Sequence, residues 1–189
     1  MYLIKTEFVK LRRCNILWVG IITLLCAPLL SILQQQSLND PVDNYGYVNL
    51  VNGTIWNNMS FFLPVTLMLL GGYMISREYT DDTLKEIFII PLSYSKLMAG
   101  KIGALLILSV FYSFYSFVLT TGLSILFYPI GLTGIAIIKA LLQICGMGLC
   151  ICISIMPFIC WSGSAKNRFW VGTVLVFVYG ILGIPLATV

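Results

Sequence analysis

The residues able to do chemistry in this chain of 189 are few, and they are gathered rather than scattered. Of 11 Lys or Arg and 7 Asp or Glu, all but three fall in three clusters. These are Lys5, Glu7, Lys10, Arg12 and Arg13; Arg77, Glu78, Asp81, Asp82, Lys85, Glu86, Lys96 and Lys101; and Lys166 with Arg168. Asp40, Asp43 and Lys139 stand apart. There is no His, so a Ser–His hydrolase, an imidazole proton relay and a His-bound metal are excluded. No G-x-x-x-x-G-K-[ST] segment is present to cradle nucleotide phosphates. Cys150 and Cys152 have no His beside them to complete a metal site. Neither catalytic, cofactor-binding nor metal-ligating residues are expected.

The elements that hold these clusters follow from what lies between them. Hydrophobic residues make 59% of the chain and charged ones 10%, with a mean hydropathy of +0.97. Ordinary soluble domains carry about 25% charge, so a soluble enzyme, a disordered tail and a nucleic-acid binder are excluded. The expected fold is an all-α, polytopic bundle of transmembrane helices forming one membrane domain over 1–189. Five stretches approach the ~20 helical residues that cross a bilayer: about 14–33, 56–76, 102–127, 138–161 and 169–187. The first is longer than a signal-peptide core, and no small-x-small cleavage site follows it, only Gln34, Gln35 and Gln36. It is read as a retained helix.

Orientation follows from the bases. With the N-terminus cytoplasmic, every Lys and Arg except Lys139 lies on the inner side, and the outer loop from Gln34 to Ile55 carries Asp40 and Asp43 without a base. The six cysteines, Cys14, Cys26, Cys145, Cys150, Cys152 and Cys160, lie in or beside spans. There they behave as small apolar residues rather than as a disulfide framework. No Asp or Glu falls inside a span. That excludes intramembrane proteolysis by paired carboxylates and disfavours simple proton- or sodium-coupled carriers, which usually need one.

Two inner segments could bind something. Residues 1–13 place Met1, Ile4, Phe8 and Leu11 on one helical face and Lys5, Arg12 and Arg13 on another, the pattern of an interfacial helix against anionic lipid. The loop 77–101 is the more informative. Thr83 and Glu86 form a capping-box pair with Asp81 and Asp82 at the positive helix end. Leu84, Ile87 and Phe88 follow at helical spacing, Pro91 stops the helix, and Ser93 or Ser95 can cap the next one. A short surface helix with an apolar ridge fits either the lipid interface or a protein partner. The four acids between Glu78 and Glu86 weaken the case for anionic lipid.

The series E-x-x-x-x-T-L-K-E-I-x-x-x-P-x-S-x-x-K-x-x-x-G-K, formed by Glu78, Thr83, Leu84, Lys85, Glu86, Ile87, Pro91, Ser93, Lys96, Gly100 and Lys101, resembles the permease subunits of ATP-binding-cassette type-2 exporters. With the basic N-terminal helix and the order of spans, the chain looks closest to small bacterial permeases for bacitracin resistance and lantibiotic immunity. The resemblance implies a multi-pass protein of the bacterial plasma membrane that docks on a separate cytoplasmic ATPase, where ATP and Mg would be held. It implies a second permease copy or a sister permease as well. The helix at about 81–89 would be the coupling helix: Leu84, Ile87 and Phe88 filling a groove on the ATPase, with Asp82, Lys85 and Glu86 setting register and Glu78, Thr83 and Pro91 bounding it. The family usually has six spans with both termini inside. Five spans therefore imply either a last helix beyond Val189 or a shortened member.

The remaining patterns admit a structural and a functional reading. Ser109, Ser113, Ser116 and Thr120 form a hydroxyl stripe on the third span, fitting helix-to-helix hydrogen bonds or a translocation path. Lys139, with Gln143 one turn on, is either a lysine snorkelling to the headgroups or the contact for an anionic group at an outer vestibule. Gly146, Cys150 and Ser154 mark a small-residue seam, and Pro28, Pro64 and Pro157 predict kinks. Asn52-Gly-Thr54 and Asn58-Met-Ser60 match the glycosylation triplet. Two other functions fit the same composition: an ATP-independent channel or carrier, and a non-transporting assembly subunit. In a bacterial host, alkaline phosphatase fused after Asp43 should be active and fused after Glu86 inactive; the opposite pattern would invert the topology.

Overall fold

A backbone in hydrocarbon has no water to bond, so each N–H and C=O must be satisfied within the chain, which leaves helices or closed barrels. The computed structural model describes residues 16–37, 46–80, 94–127, 130–163 and 169–187, and among the described residues the regular structure is helical throughout. In chain order the helices are α1 (Ile16–Ser37), α2 (Tyr47–Asn57), a π-helical turn (Asn58–Phe62), α3 (Leu63–Thr80), α4 (Tyr94–Phe127), α5 (Gly134–Gly163) and α6 (Phe169–Ala187). Four described stretches are long and apolar enough to cross a membrane: Ile16–Gln34, Tyr47–Ser76, Met98–Phe127 and Gly134–Trp161. α6 adds a fifth apolar helix of 19 residues.

The bundle has two ends. One, the loop end, holds the start of α1, the end of α3 and the start of α4; the other holds α2 and the turn between α4 and α5. Exposed tryptophans Trp18, Trp161 and Trp170 lie near the loop-end termini of α1, α5 and α6, where an interfacial belt is expected. Around the outside, Ile22, Leu33, Phe111, Phe114, Val118, Leu142, Ile153 and Val174 are exposed, as lipid-facing positions must be.

The largest departure from the sequence reading is at α2. The segment from Gly46 to Ile55, read above as part of an outer loop, is helix from Tyr47 onward and runs through the π turn into α3 as one 30-residue stretch. At ~1.5 Å per residue that is about 45 Å, longer than the ~30 Å hydrocarbon core. Its buried face is helical in spacing: Tyr47, Leu50, Val51, Thr54 and Asn57. α4 likewise begins at Tyr94 rather than near Ile102, so Ser95 lies inside the helix instead of capping it. α5 begins at Gly134. The turn between α4 and α5 uses Gly131 at φ 82°, a conformation that costs a side-chain-bearing residue. It is tied to α2 by Tyr47 N–H donating to the Ile130 carbonyl at 2.9 Å.

The π turn has a chemical cause. Pro64 has no N–H, so the Ser60 carbonyl four residues earlier receives no α-helical bond, and the ladder widens: Leu63 N–H reaches back five residues to the Asn58 carbonyl. Gly180 of α6 closes on this spot. A Cβ there would overlap the Ser60 carbonyl oxygen and sit 3.0 Å from its carbon. The main core lies between the loop end and this turn, with Leu24, Leu63, Leu67, Met68, Leu70, Leu108, Tyr112, Ile155 and Ile159 all buried. A second cluster of Tyr47, Val51, Phe117, Ala140 and Ile144 fills the other end.

The small-residue seam sits elsewhere than expected. Gly146, Cys150 and Ser154 are exposed, a Cβ at Gly146 would meet nothing within 4 Å, and Ser154 bonds only back to the Cys150 carbonyl of its own helix, at 2.9 Å. The close α4–α5 crossing is at Gly148, where a Cβ would overlap Ser113 Oγ. Lipid contact imposes no size limit on the outward stripe, whereas the inward glycine admits the serine. Gly148→Ala and Gly180→Ala meet different obstacles, a rotatable hydroxyl and a fixed carbonyl. Gly180→Ala should therefore destabilise by about 1–3 kcal/mol. Gly148→Ala should cost less and be largely rescued by Ser113→Ala, as read by thermal unfolding in detergent.

Candidate functional site

Three places gather the polar residues. The first is the loop end. Glu78 lies on α3, while Asp82, Thr83, Leu84, Lys85, Glu86, Ile87, Phe88 and Pro91 fall in 81–93, outside the described residues. The N-terminal segment 1–13 is outside them too. What is described is the pair of helices flanking the loop, and they are joined by a lysine. Lys101, counted above among the loop charges, is only 2% exposed. It lies on the third turn of α4 among Ile75, Met98, Ile102, Leu105, Met156 and Ile159, and its Nζ donates to the Met74 carbonyl of α3 at 3.0 Å. The reason is the early start of α4, which carries this position below the helix end and into the bundle. An ammonium in such surroundings has to be hydrogen-bonded to be tolerated.

The second place is a buried polar seam along α4. Ser109, Ser113, Ser116 and Thr120 are all fully buried. Ser109 Oγ donates to the Gly148 carbonyl of α5 at 2.7 Å. Ser116 Oγ accepts from Asn58 Nδ2, also at 2.7 Å, and Thr120 donates to its own helix at the Ser116 carbonyl. Ser113 packs on Gly148, and its Oγ and Asn58 Oδ1 are buried with no hydrogen-bond partner. The stripe thus faces other helices along its length.

Asn57 and Asn58 were not singled out by sequence as structural residues. Asn58 is 0% exposed and engaged with Ser116, so its triplet is no surface acceptor for a glycan. Asn57 Nδ2 bonds towards α1, to the Ala27 carbonyl at 3.3 Å, to Ser31 Oγ at 3.1 Å and to Gln34 Oε1 at 3.3 Å. Ser31 and Thr54 hydroxyls meet at 3.5 Å beside it. The signal was present in the recurrence of Leu50, Val51, Thr54, Asn57 and Asn58 at helical spacing, but two adjacent asparagines after Gly53 read more readily as a loop.

The third place holds Lys139 and Gln143, apart from the hydroxyl seam. They line an open pocket of about 390 Å³ with Ala136 and Ala140 of the same helix, Thr133 before it, and Tyr47, Val48, Val51 and Asn52 of α2. A smaller pocket of about 190 Å³ opens between the π turn, α5 and α6, lined by Met59, Ser60, Pro64, Ile151, Phe158 and Tyr179 among others. Among the described residues no cluster of His, Cys, Asp or Glu is arranged to hold a metal ion. The expected path residues therefore fall into two groups: a tightly packed seam, and a solvent-open pair facing α2.

No curated protein and no solved structure matches the chain. Residues 3–183 match the family described as ABC-2 family transporter protein, whose members are membrane transport subunits that generally work with an ATPase and are not themselves catalytic. With nearly the whole chain matched and an all-helical bundle of apolar, membrane-crossing helices, this multi-pass membrane protein belongs to the ABC-2 transporter family.

Proposed function

We propose that the chain is the permease subunit of an ATP-driven exporter in a bacterial plasma membrane. It would work as a pair, with a second copy or a sister permease, on a separate cytoplasmic ATPase. The observation that carries this reading is the family match over 3–183, joined to a charged sequence, 81–93, that connects two helices clamped to each other by Lys101. The coupling contact is assigned to Leu84, Ile87 and Phe88, with Asp82, Lys85 and Glu86 in register-setting roles and Glu78, Thr83 and Pro91 at its bounds. Force applied to that loop would reach α3 and α4 together, because Lys101 ties α4 to the Met74 carbonyl. α3 leads directly to the π turn, a point where the helical ladder is already interrupted and where a change of bonding costs least.

The cargo fits an amphiphilic class: an antimicrobial peptide, a hydrophobic drug or a lipid-linked molecule, as in bacitracin or lantibiotic resistance. The pocket between the π turn, α5 and α6 is lined mainly by apolar side chains, and no carboxylate lies within a span to drive transport by a coupling ion.

Co-expression with an ATP-binding-cassette ATPase encoded beside the permease should yield a complex whose ATP hydrolysis depends on both chains. Asp82→Lys with Glu86→Lys, and separately Phe88→Ala, should weaken the complex by about tenfold or more without changing the thermal midpoint of the permease. Lys101→Met keeps the buried stem and removes the ammonium. It should preserve the complex and lower permease-dependent ATPase stimulation severalfold. Failure of the two chains to co-purify would sink the exporter reading.

A further inference from the structure

The pocket facing α2 is built from two separate pieces of chain, 47–52 and 133–143, and its composition is selective. Tyr47, Val48, Val51 and Asn52 present one face of α2; Ala136, Lys139, Ala140 and Gln143 present one face of α5, spaced three and four residues apart as a helical face requires. The wall between them is held in place. Tyr47 N–H bonds to the Ile130 carbonyl, Tyr47 Oη meets Thr121 Oγ1 at 3.3 Å, and the positive-φ Gly131 turns the chain into Thr133. Thr133 Oγ1 accepts from Ala136 N–H at 3.3 Å, which leaves its hydroxyl proton free to donate. At about 390 Å³ the space falls in the range of small-molecule sites, about 300–1,000 Å³.

The pocket's lining carries one charged side chain, and it is a cation, Lys139. Lys139 is the one Lys or Arg among the described residues at this end of the bundle, since Arg77, Lys96 and Lys101 all lie at the loop end. The single acid among the described residues, Glu78, is at the loop end too. Lining the same pocket are neutral side chains that can donate: the Asn52 and Gln143 amides and the Thr133 hydroxyl. The remaining lining is apolar, from Val51, Ala136 and Ala140, with exposed Val48 and Ile135 beside it. Lys139 sits in the second turn of α5, just inside one end of a membrane-crossing stretch, the depth at which headgroups lie. A free soluble anion would gain nothing from the apolar lining.

We infer that this pocket binds the phosphate-bearing headgroup of a lipid-like amphiphile. The Lys139 ammonium meets the phosphate, Asn52, Gln143 and Thr133 donate to its oxygens, and the hydrocarbon tail lies along Val48 and Ile135. This differs from a snorkelling lysine in one respect that can be measured: the α2 wall matters as much as the charge. The inference stands on the geometry of the unassisted chain and does not require an ATPase.

The test is a titration of the full chain, purified in detergent, with dihexanoyl phosphatidic acid, dihexanoyl phosphatidylcholine and inorganic phosphate in separate arms, followed by thermophoresis. Saturable binding of the phosphatidic acid is expected, with phosphatidylcholine and inorganic phosphate each at least about tenfold weaker. Lys139→Gln should weaken the phosphatidic acid by about tenfold or more, as loss of a charge-assisted bond implies, and Lys139→Arg should largely retain it. Asn52→Leu and Ala136→Leu, which leave the lysine in place, should each weaken it severalfold while gel-filtration profile and thermal midpoint stay unchanged. Equal binding of phosphatidylcholine, or insensitivity to Lys139→Gln, would overturn the site. Loss on Lys139→Gln with no effect of Asn52→Leu or Ala136→Leu would reduce it to a snorkelling charge. Inorganic phosphate binding as tightly as the lipid would overturn the amphiphile. Each of these outcomes is independent of whether the ATPase co-purifies.

Discussion

Every polar atom buried in this bundle must find its partner within the protein, because hydrocarbon offers none. That constraint decides where the helices touch. Asn57 satisfies itself against α1 through the Ala27 carbonyl, Ser31 and Gln34, and the adjacent Asn58 turns to Ser116 of α4. Two neighbouring amides thus hold two different helices, one on either side of the same rod. Leaving such a group unpaired costs about 1–3 kcal/mol, comparable to the whole contribution of a large buried side chain, so these positions fix helix order as effectively as the apolar core does. Between membrane helices individual bonds average only ~0.6 kcal/mol. Their influence is therefore on which arrangement forms, more than on how stable it is.

The same rule explains the exceptions. Pro64 removes a donor that its own helix needs, the ladder shifts to a five-residue step at Asn58–Leu63, and α6 comes close enough to the freed Ser60 carbonyl that only glycine fits at position 180. Lys101 is the charged version: its ammonium is enclosed among apolar side chains, and a backbone carbonyl of the neighbouring helix receives it. Among the described residues, Asn58 Oδ1 and Ser113 Oγ are the two buried polar side-chain atoms left without a partner, one in the π turn and one at the Gly148 crossing.

Much of the architecture could be read from composition. The apolar runs between Lys and Arg clusters marked α1, α3, α4, α5 and α6 because the cost of burying charge in hydrocarbon leaves no alternative. The beginning of the second crossing was hidden, since Asn52, Gly53, Asn57 and Asn58 have the chemistry of a loop, and only the three-dimensional partners on α1 and α4 make them helical. The glycine seam was hidden for a related reason. Gly146, Cys150 and Ser154 have the right spacing, yet spacing alone does not say which face of α5 meets α4, and it is Gly148 that does. Lys101 read as a surface charge because its burial depends on where α4 starts, a boundary set by the loop and not by hydropathy.

On the proposed function, the working parts would lie along one continuous element. The stretch Tyr47–Ser76 has the Lys101 clamp near one end, at Met74, and the Lys139 pocket at the other, at Tyr47 and Asn52. The π turn lies between them. A rigid α-helix would convey a push at the loop end as a translation of the whole rod, moving both ends equally. A turn whose carbonyl at Ser60 has lost its α-helical donor allows the two halves to rotate relative to each other instead, because fewer bonds must break. α2 could then change its distance from α5, opening or closing the pocket wall, while α3 keeps its packing against α5 and α6. The chemical requirement that a proline imposes on its own helix would in this way become the joint through which the two ends of the molecule communicate.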